Sequence, residues 1–422
     1  MHPLFAVALL AQNLEAGVAR VDITPETSMR MSGYGARKCS SEGVHDSLYA
    51  KALVLAAGDS RLAIVTLDLA AIAGTSLPRR VAEKLGIPTL LLAASHTHSG
   101  PAFLPQAATI SSSVPLDAQP PPYLAWIENR IFDAVERASK SMFPARLGAG
   151  RGSIRLGYNR LLLRDDGRAR ALFDNLERVP YGPVDPEFSL LRVEDNSGAT
   201  RALLVHYAAH AVVLGPRNCK ISADYPGVLA AQVEQALPGA QCMFVQGGAG
   251  DINPLFQART GREDEDFAVN RKMGELLAGE VLRAAGDIRP LASNRHPIRA
   301  KSEVMSFPHR WEKGRTLDVG ITTVLINREI AIAAIPGEPL HRLQTAWKSR
   351  AGVAFPLFYG YTFSSGGIWP GYIPDLRSAA YGGYGADANT FIAVGAGEAI
   401  VERHLANLYG LLDMWKTEPG RP

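Results

Sequence analysis

Runs of Val, Ile and Leu closed by Gly, Pro or polar turns recur at Lys51–Ala57, Arg61–Leu69, Leu90–Ala94, Leu203–Tyr207, Met243–Gln246 and Glu329–Ile335. Such runs predict strands covered on both faces, where apolar side chains are needed above and below the sheet. A second period appears at Leu124, Ile127, Ile131, Val135 and Ala138, which recur every three or four residues. That spacing predicts an amphipathic helix over Pro121–Met142, opened by prolines. Asp264–Ala285 and Glu398–Leu412 read the same way. "SSSVPLDAQPPP" (Ser111–Pro122) reads as a loop and, so soon after a histidine motif, as a pocket rim. The expected fold class is α/β, a mixed β-sheet core flanked by helices. Polar motifs sit at strand ends from residue 96 to residue 384, which favours one large domain (residues 13–422) building one site.

Composition narrows the partners. The 422 residues are 47% hydrophobic and 20% charged, with Lys+Arg 44 against Asp+Glu 41 and a net charge of +3. The basic residues are scattered, so there is no electrostatic footprint for nucleic acid. Cys39, Cys219 and Cys242 show no zinc-ligand spacing; they leave room for one disulfide, and each reads as an ordinary small buried residue. The first twelve residues, "MHPLFAVALLAQ", resemble the apolar core and cleavage end of a secretory signal, although no Lys or Arg precedes the apolar run. A secreted or periplasmic protein is expected; the alternative is a buried N-terminal segment in a cytoplasmic one. No later stretch reaches the ~18 uninterrupted apolar residues of a membrane span.

Chemistry enters at "AASHTHSGP" (Ala93–Pro101). A strand that ends in His96-Thr97-His98 points both imidazoles to one side, because side chains alternate faces. A structural strand gains little from two polar rings on one face, whereas a metal site needs them. "LLVHYAAHAVVLG" adds His206 and His210, one of which reads as a structural histidine. "AIAAIPGEPL" runs a strand into Glu338 on a Pro-Gly turn. Together His96, His98, His210 and Glu338 supply a two-histidine, one-carboxylate zinc set with a histidine to spare. Such a set leaves a position for water, whose pKa the metal lowers toward neutrality, and that is hydrolase chemistry. "FVQGGAGDINP" (Phe244–Pro254), which contains Gly250 and Asp251, forms a tight loop. It reads either as a cradle of backbone N–H groups for a polar ligand or as a plain turn.

At this point the sequence resembles the neutral (alkaline, non-lysosomal) ceramidases, zinc amidases that cleave the N-acyl bond of ceramide. The resemblance runs through "AGVARVDITPE", "MSGYGARK", "SHTHSGP", "GYNR" (Gly157–Arg160), "ISADYPG", "GGAGDINP" and "IPGE" to the tyrosines around "GYIPD" and "GGY". It implies one Zn2+ per chain held by His96, His210, Glu338 and a tyrosine, Tyr372. A free phenol, with its pKa near ~10, would not have been chosen on chemistry alone. It further implies Tyr384 as a donor to the developing oxyanion, Arg160 as a substrate-polarising cation, His98 as general base, and Asp224 as an orienting carboxylate behind the site. The family's serine in the GD-x-S-P loop is here Asn253, which can donate from its amide but cannot relay a proton as a hydroxyl does. The chain ends at Pro422, so the expectation is the catalytic domain without the immunoglobulin-like domain that follows it in the family.

The expected partner is a small-molecule or lipid N-acyl substrate, with peripheral contact to lipid rather than a span. Three alternatives stand beside this reading: an esterase or amidase acting on a small non-lipid substrate, an amidohydrolase barrel, and a non-catalytic zinc-containing binding protein on the same scaffold. The barrel is disfavoured because two strand-like runs precede His-x-His and eightfold strand–helix alternation is missing.

Overall fold

The computed structural model describes residues 14–73, 75–102, 122–292, 297–363 and 369–414. The signal-like segment and all but the last residue of the predicted rim loop lie outside these residues. The first part of the chain forms β1 (Leu14–Asp22), β2 (Tyr49–Ala57), β3 (Ser60–Leu67), α1 (Leu77–Leu85), β4 (Thr89–Ala94), α2 (Pro122–Lys140) and β5 (Phe143–Ser153). Three short strands follow, β6 (Gly157–Asn159), β7 (Leu161–Leu163) and β8 (Ala169–Ala171). Next come β9 (Glu187–Asp195), β10 (Thr200–Tyr207), α3 (Asp224–Ala236), β11 (Gln241–Gln246), β12 (Ile252–Pro254) and α4 (Glu263–Asp287). The last part holds β13 (Ile298–Pro308), β14 (Thr316–Ile326), β15 (Ile330–Pro336), β16 (Glu338–Pro339) and α5 (His341–Arg350). It closes with β17 (Phe355–Thr362), β18 (Tyr372–Ile373), α6 (Leu376–Tyr381) and α7 (Ala396–Leu411). Every predicted strand and helix is present.

Twelve strands form one mixed sheet in the order β11-β10-β9-β5-β1-β2-β3-β4-β17-β15-β14-β13. A sheet this wide must curl or split. This one curls, so that β11 comes back against β3, β4 and β17. The inner face of the curl buries one core that takes Leu53, Leu55, Ile64 and Leu91 from one wing and Ile330, Ile332 and Leu357 from the other. Strand residues of the opposite parity face helices on the outside. Val54 and Leu92 pack with α1 and α2, Leu203 and Val205 with α3 and α4, and Ala331 and Ala333 with α5 and α7. This double burial is what the continuous apolar runs encode.

The wings join where β4 meets β17, and among the described residues Thr362 and Ala93 pair in register there. Near that seam the strand ends of β4, β10 and β15 open into polar loops. One cysteine expectation is corrected: Cys39 and Cys219 are joined in a disulfide, while Cys242 is free and buried. The bridge spans 180 residues, which is why no local spacing announced it.

Candidate metal centre

His96 and His98 do converge, but strand alternation is not the reason. β4 ends at Ala94, and His96 sits beyond it in a left-handed turn (φ 63°). Its backbone N–H donates to Leu69 O, and that of His98 donates to Ala211 O. This turn brings the two imidazoles edge to face, with their Nε2 atoms 3.0 Å apart. Gly33 makes room: a Cβ there would lie 2.1 Å from His98 Cγ, and the neighbouring Tyr34 packs edge-on to the same ring.

The tautomers of two histidines follow from their partners. His96 Nδ1 lies 2.6 Å from Ala70 O and His210 Nδ1 lies 2.6 Å from Ala249 O. A carbonyl can only accept, so each Nδ1 carries the proton and each Nε2 presents a lone pair. Both Nε2 atoms face Glu338 Oε2, at 3.3 and 3.2 Å. Despite that approach, His210 Nε2 and Glu338 Oε2 are buried with no hydrogen-bond partner among the described residues. Acceptors facing acceptors at this distance repel one another unless a cation lies among them.

Ionisation agrees with this geometry. Burial lowers His210 to about 4 and, with the neighbouring imidazoles, holds His98 well below the usual histidine value. Burial would raise Glu338, yet the facing imidazoles of His96 and His210 keep it well below the carboxylate range. A cation among these atoms would take the place of the protons that otherwise hold Glu338 down and would leave the imidazoles neutral, the states that metal ligation requires. His96, His98 and His210 are buried, and their ligand atoms all lie within 4.8 Å of one another, so this group could hold a metal ion. The carbonyl bonds to the Nδ1 atoms supply the ring orientation such a site needs.

A second cluster adjoins the first. Glu338 and Tyr372 are register partners in the short β16–β18 pair. Tyr372 Oη accepts from Arg160 Nη2 (3.1 Å), and that same nitrogen donates to Gly250 O (2.7 Å). Arg160 Nη1 donates to Asn253 Oδ1 (3.0 Å). The Arg160 guanidinium lies over the rings of Phe173, Tyr372 and Tyr384 at 5.2–5.5 Å. Burial opposes its charge, but Tyr372 and Glu338 more than compensate and hold the guanidinium protonated. Its Nε is buried without a partner among the described residues. Asn253 is therefore in contact with the site through Arg160.

The other expected residues stand behind this pair of clusters. Asp224, itself left-handed (φ 58°), accepts from the backbone N–H groups of Val213 and Leu214, just past His210. Burial pushes its carboxyl up to about 6. Asp251 is paired with His341, outside the cluster of His96, His98 and His210. Its Oδ2 pairs with His341 Nδ1 at 2.6 Å and accepts from Asn159, and its Oδ1 accepts from His341 N–H. The glycine loop is a packing turn and not a ligand cradle. Gly248 N–H donates to Gln344 and Gly250 N–H to Pro339 O, and a Cβ on Gly250 would lie 2.5 Å from Glu338 O. His206 lies on β10 against Tyr359 and takes no part in the histidine cluster. Sequence reading missed Tyr34, Asn159, His341 and Tyr361. Tyr361 is hidden in "FPLFYGYT", which reads only as an apolar strand.

The fold and the cluster define an α/β protein with a candidate metal centre at the strand ends of its sheet. The chain belongs to a known family: the profile described as neutral/alkaline non-lysosomal ceramidase, N-terminal, matches residues 14–290. It is 29% identical over 289 residues to the neutral ceramidase of Pseudomonas aeruginosa, an alignment that covers 64% of this chain and 42% of that protein. The neutral ceramidase of Mycobacterium tuberculosis is 27% identical over 62% of this chain and 44% of its own length. The aligned stretch thus spans less than half the length of either relative. The crystal structure of the Pseudomonas aeruginosa neutral ceramidase superimposes over 97% of this chain and 76% of its own, with a TM-score of 0.76 at 19% identity. The fold is shared.

Proposed function

We propose that this protein is a zinc-dependent amidase, with one zinc per chain, that hydrolyses the N-acyl bond of a ceramide-type lipid or a related N-acyl substrate. The observation that carries this reading is the convergence of three ligand atoms, His96 Nε2, His210 Nε2 and Glu338 Oε2, the last two without a hydrogen-bond partner among the described residues, beside a fixed guanidinium. Tyr372, at the register position opposite Glu338, is the proposed fourth ligand. Family membership and the names of the relatives supply the substrate class.

Zinc held there would supply Lewis-acid polarisation of the scissile carbonyl and would acidify water. His98, kept neutral by burial, is placed to take a proton from the attacking water and return it to the leaving amine. Arg160, through its unpaired Nε–H, and Tyr384 donate to the oxyanion that develops on the acyl group. Asn253 holds the guanidinium in place, a task that needs an acceptor and no hydroxyl. This supports an enzyme over a non-catalytic binding protein.

Residues 13–422 act as one catalytic domain in an exported protein. The Cys39–Cys219 bridge supports export, since disulfides persist in oxidising compartments. Among the described residues no helix is long and apolar enough to cross a membrane, and lipid substrate would be met by peripheral contact. The test pairs metal content of the purified protein with hydrolysis of a fluorogenic ceramide, short N-acyl amides, N-acetyl sugars and simple esters. One zinc per chain and chelator-sensitive turnover of ceramide or another amide are expected. Absence of bound metal after reconstitution would overturn the reading.

A further inference from the structure

Buried tyrosines normally find a partner for the hydroxyl, because an unmade hydrogen bond in the interior costs more than the ring gains by carrying it. This protein follows the rule at Tyr158, Tyr207 and Tyr225, whose hydroxyls donate to Leu172 O, Ile154 O and Ala209 O. It breaks the rule at Tyr361, which is fully buried and has a hydroxyl with no partner among the described residues. Phenylalanine would fill the same volume without that cost.

The backbone carries a second anomaly. Tyr361 is left-handed, with φ 56°, a conformation a bulky aromatic residue adopts only where its surroundings enforce it. What enforces it is a bond from Tyr361 N–H to Gly337 O, the residue just before Glu338. The turn lays the Tyr361 ring 4.3 Å from the imidazole of His96, itself a left-handed residue, and 6.1 Å from that of His210. Trp369 closes the ring's surroundings at 6.2 Å. The groups that act electrostatically on the hydroxyl are Glu338, Tyr372, Arg160 and Asp251, of which the first three bound the site.

We propose that Tyr361 is a further residue of this site: its ring fixes the plane of the His96 imidazole, and its hydroxyl is held free to donate a hydrogen bond to an oxygen of the bound acyl group. The inference rests on the amidase reading above. In that reading a substrate carbonyl or product carboxylate oxygen lies beside the histidines, where it gives the hydroxyl the acceptor it lacks among the described residues.

Y361F removes the hydroxyl and keeps the ring. The metal-free variant is expected to melt at or above the wild-type temperature, since no bond within the protein is lost. Zinc-loaded Y361F is expected to bind hexanoate, a stand-in for a fatty-acid product, about tenfold more weakly than wild type, with kcat/KM reduced to a similar degree. Y361L, which removes the ring, is expected to lose zinc to a chelator at lower concentration than either protein. Equal hexanoate affinity in zinc-loaded wild type and Y361F would overturn the role of the hydroxyl and leave the amidase reading standing. So would a metal-free Y361F that melts well below wild type, because the hydroxyl would then have a structural partner. Equal chelator resistance in Y361L would overturn the role of the ring. A wild-type protein that takes up no zinc would overturn both the inference and the reading beneath it.

Discussion

The two halves of the candidate site are built on opposite principles. On the histidine side, His96, His210 and Glu338 follow the ends of β4, β10 and β15, and the Nδ1 atoms of the two histidines are tied to backbone carbonyls. That side is left with lone pairs and no protons to share. On the arginine side, Arg160 follows β6 and Asn253 lies on its partner strand β12, with Tyr372 on β18 and Tyr384 close by. There the cation is part of the chain and already has Gly250 O, Asn253 Oδ1 and Tyr372 Oη as acceptors. One half lacks a positive charge and the other holds one in place. A polarised acyl oxygen between them would be stabilised from both sides, which neither half achieves alone.

If the halves differ in this way, substitutions should separate metal content from turnover. The largest effect is expected from H210A, which removes a bare Nε2: zinc measured by elemental analysis should fall to background, and turnover should fall with it by at least ~10^3-fold. H98A should lower turnover by roughly 10^2- to 10^4-fold while zinc stays at one per chain, as expected of a general base. Loss of zinc in H98A would instead make His98 a ligand, as its place within 4.8 Å of the other two histidines allows. N253A should leave zinc untouched and lower kcat by roughly tenfold, the cost of one charge-assisted hydrogen bond to Arg160.

The smallest effect on chemistry is expected from H341Q, behind both halves, where the readout is stability against pH. Burial disfavours the charge on His341, but Asp251 outweighs it and raises the imidazole above its ordinary 6.5. Burial would raise Asp251, and His341 outweighs that and lowers it below 3.8. The histidine's contribution is complete below pH 6.5 and fades as pH rises through its raised value. The aspartate's is complete above pH 3.8 and fades as pH falls through its lowered one. Wild type should therefore exceed H341Q by about 3–5 kcal/mol between roughly pH 4 and 6.5, with the gap narrowing on either side. Urea melts at pH 5.5 and 9 would check it, and a gap independent of pH would refute the ion pair.

Legibility in the sequence followed the range of the interactions. β2, β3, β4, β10, β11 and β15 announced themselves because burial on both faces writes Val, Ile and Leu without interruption. β5, "FPARLGAGRGS", did not, because its glycines are set by distant neighbours: a Cβ on Gly148 or Gly150 would strike Ile288, 138 or more residues away. The pairing of β1 with β5 and of β4 with β17, and so the curl of the sheet, has no local signature. At the site, the histidines and Glu338 were visible as polar residues following apolar runs. Tyr372 and Tyr384 came only through family resemblance, and Tyr361 not at all, because an aromatic residue in an apolar strand looks like core until its hydroxyl is followed. Of the two readings of the Gly247–Gly250 loop, cradle or plain turn, the structure favours the turn, because its N–H groups serve Tyr207 O, Gln344 and Pro339 O.

The seam between β4 and β17 has a mechanical meaning. The wings of the sheet share an apolar core, and the proposed ligands stand on both banks of their common edge: His96 and His210 on one, Glu338 and Tyr372 on the other. A cation gripped by these four would act as a rivet across that edge. Its removal would slacken that line first, letting amide protons near Ala93 and Thr362 exchange with solvent while the far edges of both wings stay closed.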